Sequence, residues 1–180
     1  MIKKLVLTFA CAAFSSLSMA HHVSGHEYDD ILLTKGHARL NILVSGSSVE
    51  IELYTPMVNI VSFEGGPSSE EQHTEIETVK SWLAEFNNVF KLDAVAECVA
   101  VVAEINTANI DESNKVDNAK LAEFDAYYVL ECANFEERNE LVVKLFSDYP
   151  IHKEIFTKRQ GVGKTKYSKL TPKDNSMELK

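Results

Sequence analysis

Residues 40–53 constrain the fold of this chain more than any other stretch. Leu40, Ile42 and Val44 recur at every second position, Ser45-Gly46-Ser47-Ser48 follows, and Val49, Ile51 and Leu53 then alternate against Glu50, Glu52 and Tyr54. A period of two on both sides of a turn places every second side chain on one face. The pattern therefore reads as a β-hairpin with one buried and one wet face. An apolar sheet face of this kind has to be covered by another layer.

The covering element is visible some twenty residues on. Ser68 with Glu71, or Ser69 with Gln72, has capping-box spacing, and the acidic first turns suit a helix N-terminus. Ile76, Val79, Leu83, Phe86 and Phe90 follow at spacings of three and four, flanked by Trp82 and Val89. They form an apolar stripe that belongs on the sheet.

Between hairpin and helix, a third apolar run, Val58–Phe63, stops at Gly65-Gly66-Pro67. The apolar run Cys98–Ile105 reads as a strand buried on both faces. Polar, acidic Asn106–Glu123 reads as an exposed loop. Phe124, Ala126, Tyr128, Leu130 and Cys132 alternate as a further strand, and Leu141–Phe146 reads as another, ended by Asp148-Tyr149-Pro150. Short strand-like pieces lie around Ile155–Thr157, Tyr167–Leu170 and Met177–Leu179. The expected class is α+β: mostly antiparallel strands with one long amphipathic helix packed on a sheet face.

The N-terminus has a different character. Residues 1–20 combine Lys3 and Lys4, the apolar stretch Leu5–Phe14, and small Ser18 and Ala20, the layout of a secretory signal peptide cleaved after Ala20. The apolar stretch is shorter than the roughly 20 residues a bilayer span needs. Cys11 has Thr8, Phe9 and Ala10 before it rather than a lipobox, so lipid anchoring is not expected. Residues 21–35 read as a flexible His- and Asp-bearing segment, and 36–180 as a single domain. The whole chain has a net charge of −9, and loss of the two leader lysines makes it more acidic. That balance argues against nucleic acid and anionic membrane as partners and is compatible with cations. No second long apolar segment suggests membrane insertion.

Beyond the leader two cysteines remain, Cys98 and Cys132. In an exported chain an even pair most simply forms one disulfide, ahead of two buried thiols or a metal–thiolate site.

No GxSxG, HExxH or Ser-His-Asp signature is present, and no nucleophile–base pair can be named, so an enzyme is not expected. Gly161-Val162-Gly163-Lys164-Thr165 ends like a phosphate loop, but Lys158 stands where its first glycine belongs; a basic turn is the better reading. The histidines carry more information. Four of the six, His21, His22, His26 and His37, fall between positions 21 and 37. Neutral imidazole is the usual ligand for zinc, copper and nickel, and Glu27, Asp29 and Asp30 are carboxylates that complete such a shell. The competing reading is a solvated tail without a tight site. On the helix, His73 shares the polar side with Glu70 and Glu77. That is a weaker candidate, since helix side-chain pairs are common there. His152, after Pro150, reads as a surface histidine.

In order along the chain come the leader, the His-bearing N-terminus, Gly-His-Ala-Arg-Leu-Asn-Ile (36–42), Glu-Ile-Glu-Leu-Tyr-Thr-Pro (50–56) and Asn59-Ile60-Val61-Ser62-Phe63-Glu64. Leu92–Cys98, Tyr128–Cys132, Leu145-Phe146 and Tyr149-Pro150 follow. This series resembles the ZrgA-like family of periplasmic proteins that assist zinc uptake beside an ABC importer. The resemblance covers about 36–180 and rests on several spaced segments. It implies a periplasmic location, zinc as the ion bound and a periplasmic importer component as partner. The chain also departs from the family. Lys35 stands where members carry a histidine, Gly65 replaces another, and Asn106–Glu123 contains none. The expected function is a non-catalytic, periplasmic zinc-binding accessory protein using His21, His22, His26 and His37, with Glu27, Asp29, His73 and Glu77 as weaker candidates. Copper and nickel remain open as alternative ions. The alternative function is an exported interaction module that has lost metal binding.

Overall fold

The computed structural model describes residues 28, 31, 33–110, 121–135, 139–161 and 163–179. The expected leader, 1–20, lies outside them. In chain order the elements are β1 (His37–Ser45), β2 (Ser48–Pro56), α1 (Glu70–Ala84), α2 (Phe86–Val89), β3 (Phe90–Leu92), β4 (Cys98–Ala108) and β5 (Glu123–Cys132). They continue with β6 (Glu140–Val143), α3 (Leu145–Asp148), β7 (Glu154–Gln160), β8 (Lys166–Leu170) and β9 (Ser176–Glu178).

The hairpin forms as its alternation requires. Leu40 lies opposite Leu53, Ile42 opposite Ile51 and Val44 opposite Val49, and all six are buried. Strands added on both sides give a six-stranded sheet ordered β4-β5-β2-β1-β7-β8. Every neighbouring pair in it is antiparallel except β1 and β7, which run parallel. A second, three-stranded antiparallel sheet has the order β3-β6-β9. The fold is α+β, as expected.

The inner face of the large sheet is covered by α1 and the chain that follows it. Ser69 caps α1, its side chain accepting from the Gln72 amide, while Gln72 Oε1 accepts from the Ser68 amide and hydroxyl. Ile76, Val79 and Leu83 bury the helix face. The Tyr128 hydroxyl of β5 donates to the Leu83 carbonyl at 2.6 Å, and the rings of Phe86 and Phe90 stand edge-on to Tyr128. At the far side of the core Arg159 of β7 is fully buried and donates from Nη1 to the Leu179 carbonyl. That bond ties the large sheet to the chain end beyond β9.

Three expectations about the elements need correction. The apolar stripe is right, but one helix does not carry it. The chain leaves the helical region at Glu85 (φ −84°, ψ 94°), so Phe86 belongs to the one-turn α2 and Phe90 opens β3. Asn88 supports the break by donating from its side chain to the Trp82 carbonyl. Second, β4 is not buried on both faces. It is the edge of the large sheet, with Val99 65% and Val101 57% exposed. Third, strand β6 ends at Val143, and Leu145–Asp148 is a helical turn. The apolar run Val58–Phe63 contains no strand. Met57–Asn59 is a 3-10 turn that buries Met57 and Asn59. The exposed loop is shortened at its start, because β4 runs to Ala108. Its centre, 111–120, lies outside the described residues.

Among the described residues no helix is long and apolar enough to cross a membrane.

Candidate metal centre at His37

His37 opens β1 and lies level with Glu154, which opens β7, in the parallel register of these strands. Parallel pairing puts both side chains on the outer face of the sheet. Nδ1 of His37 is 2.8 Å from the Thr34 hydroxyl, and Nε2 faces Glu154 Oε2 at 3.8 Å. The ring stands edge-on to Phe156, while the second Glu154 oxygen accepts from Lys169 Nζ at 2.7 Å. Both His37 and Glu154 are about one-third exposed, at 32% and 31% of their side chains. The imidazole is therefore oriented by the protein yet reachable from solvent.

The backbone beneath it is fixed from inside. Asn59, 2% exposed, accepts from the Gly36 amide at 2.7 Å and donates to the His37 carbonyl at 2.9 Å. It also donates to the Thr55 hydroxyl. Thr55 in turn donates to Nε2 of His152 at 3.0 Å, and His152 Nδ1 donates to the Tyr149 carbonyl at 3.0 Å. A carbonyl can only accept, so His152 carries its proton on Nδ1. Burial pushes the His152 imidazole below its ordinary pKa, opposed in part by the Tyr149 bond. Gly36 sits at φ +92°, where a Cβ would press on the Ile151 carbonyl at 3.2 Å, so glycine suits the approach of this loop to the chain before β7.

The expectation for His152 is corrected here: it is 0% exposed rather than a surface group. With Thr55 it makes a hydroxyl–imidazole pair, but a sealed one that no substrate reaches.

The remaining candidates are not gathered in the same way. His21, His22, His26, Glu27 and Asp29 lie outside the described residues. His73 and Glu77 are both exposed on α1, and Glu77 Oε1 accepts from Lys80 Nζ at 3.0 Å. Among the described residues no three His, Cys, Asp or Glu side chains come together as a metal-holding group. Cys98 and Cys132 lie directly opposite each other on β4 and β5 and form the expected disulfide. They are therefore not metal ligands.

Sequence reasoning missed Glu154, because only the parallel pairing of distant strands brings it to His37. It also missed Asn59 and Thr55. Asn59 did carry a signal, as a lone amide inside an apolar run.

The outer face also bears an acidic strip. Glu52 accepts from Asn41 at 3.0 Å and from the Tyr54 hydroxyl, and Glu50 accepts from the Tyr127 hydroxyl at 2.9 Å. Burial first, then the negative charges of Asp125 and Glu52, pushes the Tyr54 hydroxyl up to about 12. Burial and the neighbouring Glu52 raise the Asp125 carboxyl as well.

Residues 33–179 fit the family model described as ZrgA family zinc uptake protein. No curated protein matches the chain.

Proposed function

We propose, starting from the fact that this chain belongs to the ZrgA family of zinc uptake proteins, that it is an exported, non-catalytic accessory that binds zinc in the periplasm. It would pass the ion to a periplasmic component of an ABC importer. The observation that carries this reading is the setting of His37. The domain holds the imidazole by Thr34 and a buried amide network, and turns Nε2 toward a carboxylate. Zinc takes about four nitrogen, sulfur or oxygen ligands. His37 and Glu154 supply at most two, so closure of the shell falls to His21, His22 and His26, with Glu27 and Asp29 as oxygen donors. A ligand contributed by the folded domain also couples binding to folding.

Titration of the protein with zinc against a competing chelator, with copper and nickel in parallel, tests this directly. Zinc is expected to bind and to raise the melting temperature. His37→Ala is expected to weaken binding by roughly tenfold or more, in the range seen for loss of a metal-site partner, and to leave the metal-free melting temperature unchanged. Undiminished binding after deletion of residues 21–26 would move the site into the domain, with His73, Glu70 and Glu77 to be tried next. Absence of any zinc binding would overturn the proposal in favour of an interaction module without metal.

A further inference from the structure

Strand β4 pairs on one side with β5 and ends the large sheet, so its other side has no partner strand among the described residues. A bare edge carries a row of backbone amides and carbonyls open to a further strand, and proteins commonly blunt it with lysine, proline or a bulge. The irregularity between Ala100 and Val102 disturbs the first part of β4 in this way. Beyond it, Val102–Ala108 keeps unbroken register with β5, over about 24 Å. That stretch has neither lysine nor proline. It is an unguarded edge long enough for one extended segment.

The side chains along it define the kind of segment that fits. Residues opposite each other in an antiparallel pair share a face. Ala103, Ile105 and Thr107 therefore lie on the core side with Tyr128, Ala126 and Phe124, and Val102, Glu104 and Asn106 on the outer side with Val129, Tyr127 and Asp125. Ile105 packs against the core, while Ala103 and Thr107 beside it are exposed. Apolar side chains on the core side of an added strand would cover them. The outer side is acidic: Glu104 and Asp125 stand there, and β2 adds Glu52 in register with Tyr127. Strands β4, β5 and β2 contain no lysine or arginine. Crossing the outer face from the β4 edge, the first cation among the described residues is Arg39 of β1, over the Tyr54 ring at 4.9 Å. A second copy of this chain would set one acidic face beside another, in a molecule whose net charge is already −9. Like charges opposed across strands are destabilising, whereas opposite charges stabilise the pair.

We propose that Val102–Ala108 is a docking edge for an extended segment of another protein, in which apolar residues alternate with lysine or arginine. The segment adds a strand to the large sheet beside β4. Main-chain hydrogen bonds supply the affinity, and the alternation selects the segment by setting its apolar side to the core and its basic side against Glu104. The proposal uses no residue of the His37 site and stands whether or not zinc binds there.

The probe is a short capped peptide that alternates valine and lysine. It is compared with its valine–glutamate counterpart and with a block sequence of the same valines and lysines. Binding to the folded protein is read by fluorescence anisotropy and located by amide hydrogen exchange. The alternating lysine peptide should bind more tightly than either control and should slow exchange within 102–108. N-methylation of every second peptide residue should abolish binding in one phase and spare it in the other, because only alternate residues turn their amides toward the neighbouring strand. Glu104→Lys, at an exposed position, should weaken binding of the lysine peptide by roughly three- to tenfold and strengthen that of the glutamate peptide. Its melting temperature shows that the variant folds, and the N-methylated peptides test the edge without altering the protein. Failure of the alternating peptide to bind, or equal binding by the block sequence, would overturn the proposal. So would dimerisation of the protein alone in sedimentation, with exchange slowed within 102–108, which would give the edge to a second copy.

Discussion

His152 shows how one residue can be misread when its neighbours in sequence are not its neighbours in space. Beside Pro150 and Lys153 it has the surroundings of a surface loop, yet it is fully buried, with Thr55 and the Tyr149 carbonyl on its two ring nitrogens and Asn59 behind Thr55. Its folded-state pKa lies below the ordinary histidine value because burial disfavours the charged ring. The unfolded chain takes up a proton near pH 6.5, whereas the folded chain resists it to lower pH. Stability from this group is therefore fully present above about pH 6.5. It is lost progressively as pH falls below that value, until the folded ring also protonates. Urea melts of wild type should show falling stability between pH 7.5 and 5, with a shallower fall in His152→Gln. At pH 7.5 His152→Ala should cost about 1–3 kcal/mol, because it leaves the buried Thr55 hydroxyl and Tyr149 carbonyl short of a partner. Equal pH slopes in wild type and His152→Gln would show that another group governs the acid sensitivity. At this scale the candidate site was half legible. His37 stood out by its place in a histidine cluster, whereas Glu154, Asn59 and Thr55 reach it only through the finished fold.

Among the elements, the hairpin and α1 could be read because their signals are local: period two around a turn, and a capped stripe at three and four. The stripe survives the break at Glu85 because the chain keeps its apolar side chains on the sheet in three successive elements. Leu83 is fully buried, and Leu83→Ala should cost about 2–5 kcal/mol. Glu77→Ala, which removes only an exposed pair with Lys80, should cost no more than about 0.5 kcal/mol in the same chemical denaturation experiment. Similar small effects from both would mean that α1 does not pack as described. Strand β4 was misplaced for the opposite reason. Apolar composition reports that a strand can be buried, not where it stands in the strand order, and β4 ends at an edge with Val99 and Val101 exposed. The ladder with β5 is irregular between Ala100 and Val102, which leaves Val101 out of register with its partner strand. Val101→Lys should therefore change stability by less than about 0.5 kcal/mol. It should also raise the temperature at which the protein aggregates, since a lysine on an edge disfavours strand addition. A large drop in melting temperature would show that Val101 is covered in solution.

The molecule as a whole depends on contacts made far along the chain. The Cys98–Cys132 bridge closes a 34-residue separation between adjacent strands. Its reduction should lower stability by about 2–4 kcal/mol, read from urea melts with and without reductant, chiefly by freeing the unfolded chain. The parallel pairing of β1 with β7 had no counterpart in the sequence pattern, because alternation fixes which face a strand buries but not which strand lies beside it. That pairing also governs when the protein can finish folding. The first hairpin can close as soon as it is made, but β1 keeps an open edge, and His37 lacks its carboxylate neighbour, until the residues beyond Glu154 exist. Sheets that join the two ends of a chain form slowly, because the connecting loop must be closed before the contacts stabilise it. The groups around His37 thus assemble late, when nearly the entire polypeptide is available, and a chain interrupted before β7 would have the histidine but not its setting.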